Sequence, residues 1–149
     1  MTESSKKFWE RLVIRVYTDM AADVFHVGHL NLLKKAKSMG DYLIVGVHSD
    51  AQIESYKRSP IFSEKDRYEI MRSCRYVDEV IESAPLVMTK EFLLKNKIDL
   101  VVRGDDKSPD HVIQQAAPLE MGIMRYVPRT KGISTSDIIR KILERGLDG

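Results

Sequence analysis

Hydrophobic positions along this chain alternate between two periods. Short aliphatic and β-branched runs at 12–17, 42–47, 77–81, 98–102 and 123–127 have the length and composition of buried strands. Between them apolar residues recur at helical spacing. Leu30, Leu32, Leu33 and Ala36 form one such stripe, with Lys34, Lys35 and Lys37 on the other face. Tyr68, Ile70, Met71 and Cys74 form a second after a helix start at 63–66, and Phe92, Leu93 and Leu94 a third after a Thr89 cap. Ile138, Ile139, Ile142 and Leu143 give the apolar face of a last helix over 134–145. Residues 50–55 predict a weak helical piece and 56–62 a loop. A helix is predicted over 109–121, with Pro118 interrupting or ending its regular part. Met39-Gly40-Asp41 reads as a helix stop and Ser83-Ala84-Pro85 as a turn.

Strands separated by helices imply an α/β fold: a five-stranded parallel sheet with helices on both faces. Ligands of such sheets sit beyond the carboxyl ends of the strands. Each polar signal of the sequence falls there. Asp23, His26 and His29 follow the first strand, Arg103 to Asp106 the fourth, and Arg129 to Ser136 the fifth. Residues far apart in sequence are thereby expected to converge on one site.

The composition narrows the class. A chain of 149 residues, 43% hydrophobic and 31% charged, is expected to form a single domain over 1–149 with its core at about 12–145. A net charge of +2 gives no argument for a nucleic-acid or membrane partner. The single cysteine, Cys74, excludes an internal disulfide and suits a reducing cytoplasm. The first ten residues are polar and charged with no apolar run, so neither a signal peptide nor a membrane span is expected there.

His26-Val27-Gly28-His29 sits where a strand hands over to a helix. Unpaired N–H groups and the helix dipole make that place attractive to an anion, and Gly28 leaves room for a phosphate to approach. A zinc site would need a third ligand at a usual spacing, which the sequence lacks.

At these residues the sequence resembles a known family. His26-Val27-Gly28-His29 is similar to the HxGH signature of nucleotidylyltransferases. Residues 129–136 are similar to the RTxGISTS signature of the cytidylyltransferases for choline phosphate, ethanolamine phosphate and glycerol 3-phosphate. The likeness runs from about Val13 to Ile142. It implies a Rossmann-like fold and a reaction in which a phosphorylated alcohol attacks the α-phosphorus of CTP, with pyrophosphate leaving. It implies that His26 and His29 contact the phosphates, that Lys57 is the catalytic lysine with Arg58 beside it, and that Arg129, Ser134 and Thr135 bind the triphosphate. Asp19 is a family-matched acid, placed with Met20, Ala21, Ala22 and Gly28 near the nucleotide. Arg103, Gly104 and Asp105 match the segment around the base, and Asp106 adjoins the acceptor. Asp23 would orient a histidine, act as an indirect magnesium ligand or meet the acceptor's amine. Magnesium is expected with the triphosphate, on no direct protein ligand.

Two departures from the family pattern bear on specificity. Met20 stands where the family has glycine, which reduces backbone room near the nucleotide. Leu86 stands where choline and ethanolamine enzymes place an aromatic, and a quaternary ammonium is best held by aromatic faces. A phosphoethanolamine-like acceptor is therefore favoured. Glycerol 3-phosphate, an ATP-using adenylyltransferase of FAD-synthetase type, and a non-enzymatic nucleotide-binding module are the alternatives. Residues 75–80, similar to the family's RYVDEV dimer segment, imply a homodimer.

Overall fold

The structure, a computed structural model, describes residues 2–5, 12–105 and 111–146. Its strands are β1 (Arg15–Met20), β2 (Tyr42–Val47), β3 (Glu79–Glu82), β4 (Leu100–Gly104) and β5 (Met124–Val127). Its helices are α1 (Val27–Ser38), α2 (Asp50–Glu54), α3 (Glu64–Arg72), α4 (Lys90–Lys95), α5 (His111–Gln114), α6 (Ala116–Glu120) and α7 (Thr135–Arg145). The strands pair in the order β3-β2-β1-β4-β5, all parallel. The chain winds outward from β1 to β3, then crosses back to place β4 on the other side of β1. That reversal opens a crevice between the carboxyl ends of β1 and β4, the usual ligand position in such sheets.

Alternation along each strand sends side chains to two cores. Val16, Leu43, Val45, Val47, Val102 and Val127 pack on one face with Leu33 and Ala36 of α1 and Tyr68 and Met71 of α3. Tyr17, Ile44, Val101 and Met124 pack on the other with Leu93 of α4, and Ala117 and Met121 lie against that cluster. Strands buried on both faces read as unbroken apolar runs, which is why they were legible as strands. The expected fold, a Rossmann-like five-stranded parallel sheet with helices on both faces, is the one observed.

Local expectations needed correction in several places. β3 and β4 start two residues later than expected, so Arg103 and Gly104 end β4 rather than follow it. β1 starts at Arg15, because Leu12, Val13 and Ile14 lie ahead of the sheet and are exposed. Ile70 is also exposed; the buried stripe of α3 is Arg67, Tyr68 and Met71. The helix expected over 109–121 is, among the described residues, two short helices that part at Gln115. Pro118 sits inside the second and is buried. In α7 no residue is buried, and Ile142 and Leu143 are 60% and 75% exposed.

Candidate active site

The carboxyl edge of the sheet carries a cleft of about 760 Å³. One of its walls begins with the cap of α1. His26 is the residue before the helix, in extended conformation. Its Nδ1 accepts the Gly28 N–H at 3.0 Å, and the Nδ1 of His29 accepts the His26 N–H at 3.1 Å. Because each Nδ1 is an acceptor, the neutral imidazoles carry their protons on Nε2. The rings lie 3.9 Å apart between centroids, and Phe25 stacks on His29 at 5.4 Å. Burial lowers the pKa of His26. His29 is pushed down to about 4, by burial first and by its neighbour His26 second; Asp23 pulls it up and Lys57 adds a further push down. At neutral pH the pair therefore presents two uncharged N–H donors beside a helix N-terminus. The room at Gly28 is taken by the His26 ring: a Cβ there would meet Cε1 at 2.7 Å.

A buried charge pair forms the floor at the crevice between β1 and β4. Arg103 donates from Nε to Asp19 Oδ1 at 2.9 Å and from its Nη2 to Oδ2 at 2.8 Å. His48, at the end of β2, places Nε2 at 3.2 Å from Asp19 Oδ2. A carboxylate only accepts, so Nε2 bears the proton. Burial by itself would raise the Asp19 pKa, but the His48 hydrogen bond and the Arg103 charge together outweigh it and hold the carboxyl below its ordinary range. The pair survives burial because each charge has its partner in two-point geometry.

The opposite wall is the loop after α2. Asp23, buried, accepts the Ile61 and Phe62 N–H groups at 2.8 Å each, one on each oxygen. Its neighbours Ala22 and Val24 have positive φ values of 57° and 47°. Such conformations cost about 1–3 kcal/mol each, and Val24 is β-branched, where they are rarest. Fully buried Arg67 donates to the carbonyls of Phe62, Ala21 and His48 and to Asp50 Oδ1, at 2.6–3.0 Å. It thereby ties the loop to the ends of β1 and β2. Lys57 lies 5.4 Å over the Tyr56 ring, and burial followed by the Arg58 charge lowers its pKa. The start of α7 closes the ring of elements. Ser134 caps that helix by accepting the Asp137 N–H at 3.0 Å, and Thr135 Oγ1 donates to the Asp23 carbonyl at 2.9 Å.

The cleft is lined by His26, His29, Lys57, Arg58, Leu86 and Arg129, by residues 19–23, by Gly28, Arg103 and Gly104, and by Ser134 and Thr135. Sequence reasoning thus named residues that the fold assembles, with two differences. Asp105 stands outside the lining and accepts the Arg129 backbone N–H at 3.2 Å. Asp106 lies outside the described residues. Met20 lines the cleft while also packing against the core. Gly104 matters for packing, since a Cβ would press on Arg129 Cγ at 3.0 Å. Sequence reasoning missed His48, Tyr56, Gln114 and Arg67. His48 had a signal, being the polar residue directly after a buried strand on the same sheet edge. Arg67 had none, because an arginine within a helix reads as solvent-facing. Among the described residues no group of three or more His, Cys, Asp or Glu side chains is placed to hold a metal ion. No described helix is long and apolar enough to cross a membrane.

Comparison with known proteins agrees with this architecture. The model of a family described as cytidylyltransferase-like matches residues 21–141. An ethanolamine-phosphate cytidylyltransferase of Dictyostelium discoideum is 39% identical over 132 residues, covering 87% of this chain and 37% of that protein. Choline-phosphate cytidylyltransferase A of Homo sapiens is 41% identical over 136 residues, covering 87% and 36%. The chain thus spans less than half the length of these curated relatives. Among solved structures, the lipopolysaccharide core biosynthesis protein of Thermoplasma volcanium superposes with a TM-score of 0.66 at 26% identity. That match covers 80% of this chain and 99% of that one.

Proposed function

The chain belongs to the cytidylyltransferase-like family, and from that premise we propose that it transfers CMP from CTP to a small phosphorylated alcohol, phosphoethanolamine by preference. An oxygen of the acceptor's phosphate attacks the α-phosphorus, the bond to the β-phosphate's bridging oxygen breaks, and pyrophosphate leaves with the electron pair. No group on the protein needs to form a covalent bond. The observation that carries this reading is the pair of neutral imidazoles whose Nδ1 atoms are both occupied, leaving two Nε2–H donors beside the start of α1. Preorganised donors of this kind stabilise charge that grows on phosphate oxygens without reorganising as the reaction proceeds. Lys57 and Arg129 in the same cleft supply positive charge, and the start of α7 adds backbone N–H groups.

Magnesium enters this reading as the companion of the triphosphate. The described carboxylates form no cage for it, since Asp19 is held by Arg103 and Asp23 takes two backbone N–H groups. The preference for phosphoethanolamine is supported by the ethanolamine-phosphate cytidylyltransferases among the relatives and, against the choline-phosphate enzymes also among them, by Leu86 in the cleft lining. An aliphatic residue gives a trimethylammonium no aromatic face there, whereas a primary amine still donates hydrogen bonds. We further propose a homodimer in the cytoplasm.

Pyrophosphate release measured with CTP and with ATP, across phosphoethanolamine, phosphocholine and glycerol 3-phosphate, tests the reading. We expect turnover with CTP and phosphoethanolamine, and an improvement of phosphocholine relative to phosphoethanolamine in Leu86→Trp. Preference for ATP, or for glycerol 3-phosphate or phosphocholine in the unsubstituted protein, would overturn it.

A further inference from the structure

We infer that Asp23 is a positioning residue: it holds the Lys57 loop and the start of α7 against the histidine pair, and acts on the reaction through them rather than by touching substrate or metal. The kinetic part of this inference rests on the CMP-transfer reading. Three segments from distant parts of the chain meet at this one residue. Its two carboxylate oxygens accept the N–H groups of Ile61 and Phe62, at 2.8 Å each, which fixes the end of the loop bearing Lys57 and Arg58. Its own carbonyl accepts the Thr135 hydroxyl at 2.9 Å, which fixes the N-terminus of α7. Three residues further along stands His26, whose ring caps α1.

The backbone at this junction is held in a conformation it would not choose. Ala22 and Val24, on either side, both sit at positive φ. Strain of that kind persists only where the surroundings over-determine it. The determinants here are the two N–H groups on the carboxylate, the Thr135 hydroxyl on the carbonyl, and Arg67 on the Ala21 carbonyl at 2.6 Å. A carboxylate whose two oxygens both take short backbone hydrogen bonds, in a residue 6% exposed, is poorly disposed to spend them on a ligand. Its negative charge still reaches the site, where it counters the other influences on His29 and Lys57. Arg58 completes the frame from the loop side, with one guanidinium nitrogen 3.4 Å from Ser136 Oγ across the cleft. The cleft's two walls therefore meet at one residue, the Lys57 loop held by its carboxylate and the start of α7 by its backbone carbonyl.

Asp23→Asn keeps one oxygen acceptor and replaces the other by an amide that cannot accept; Asp23→Ala keeps neither. We expect kcat for CMP transfer to fall about tenfold in Asp23→Asn and further in Asp23→Ala, with KM for the acceptor changed less than threefold. The decisive measurement repeats Asp23→Asn in a Lys57→Ala background. A residue acting through the Lys57 loop loses most of its effect once Lys57 is gone, so we expect the penalty to shrink to threefold or less. Equal penalties in both backgrounds, or an unchanged kcat in Asp23→Ala, would overturn the inference. Limited trypsin digestion supplies a readout that needs no activity. Cleavage after Lys57 or Arg58 should accelerate at least tenfold in Asp23→Asn, under conditions where cleavage elsewhere and the urea midpoint stay within the range of the unsubstituted protein. A uniform rise in cleavage over the whole chain would make Asp23 a general stability residue and overturn the positioning role. Should the unsubstituted protein move no CMP, the proposed function fails, and the tryptic pattern alone still decides the clamp.

Discussion

At the scale of single residues, His29 makes a sign-definite prediction. Its pKa is pushed from an ordinary 6.5 down to about 4. The unfolded chain then takes up a proton as pH falls through 6.5, whereas the folded one resists until about 4. Between these values the unfolded state binds more protons, so stability falls as the pH falls, and is fully present above 6.5. At 1.36 kcal/mol per pKa unit the loss attributable to His29 is at most about 3 kcal/mol. Burial also lowers His26, so its contribution has the same sign. Asp19 loses its share only as the pH falls below the ordinary carboxylate range, a window beneath that of the imidazole. Urea unfolding at pH 7 and pH 4.5 checks this. His29→Asn, whose side-chain oxygen can replace Nδ1 as acceptor for the His26 N–H, should lose less stability across that interval than the unsubstituted protein. Parallel losses would show that His29 is not the titrating group. Turnover should meanwhile show no acid limb from His29 until the pH nears 5, since the donor form is the neutral one.

At the scale of elements, Gly28 shows what a helix start can hide. Replacing an interior helical glycine by alanine ordinarily stabilises by about 0.5–1 kcal/mol. Here the new methyl would push the His26 ring, 2.7 Å away at Cε1, off the Gly28 N–H. Losing a cap bond costs about 1 kcal/mol, so the two effects nearly cancel. We expect Gly28→Ala to keep the urea midpoint close to its original value while turnover falls at least tenfold, because the His26 donor is displaced. Full activity in a folded Gly28→Ala protein would remove the His26 cap geometry from the mechanism. The same element shows how far the sequence could be read. The strand runs were legible because double burial leaves no polar position in them, and the histidine pair because it stands at a strand-to-helix junction. What stayed illegible were partnerships across sequence. Nothing local says that Asp19 belongs to Arg103, 84 residues away. Nothing local says that Arg67 turns inward to three carbonyls. The apolar stripe of α7 was read correctly as a stripe, but periodicity does not say whether a stripe meets the chain's own core.

At the scale of the whole molecule, two of the apolar surfaces exposed on the described chain bear on the proposed homodimer, and only one carries it. The first is α7, where Ile142 and Leu143 face outward. The second is a shallow hollow formed by Phe25, Leu30, Ile70, Cys74 and Tyr76, rimmed by Lys34 and Arg75. Tyr76 lies under both cations there, with Arg75 at 5.0 Å and Lys34 at 6.0 Å from its ring centroid. An aromatic ring with flanking arginine is the composition that interfaces favour at their centres. The hollow also contains the start of the segment 75–80 whose sequence implies the dimer contact. Its floor includes Phe25, which stacks on His29. A partner seated there would therefore steady His29 from behind. We expect sedimentation velocity at micromolar concentration to give a dimer, Tyr76→Asp to give a monomer with reduced turnover, and Leu143→Asp to leave the dimer intact. A monomer of undiminished activity would refute the dimer outright. Dissociation by Leu143→Asp with Tyr76→Asp still dimeric would move the contact to α7 and sever it from the histidines.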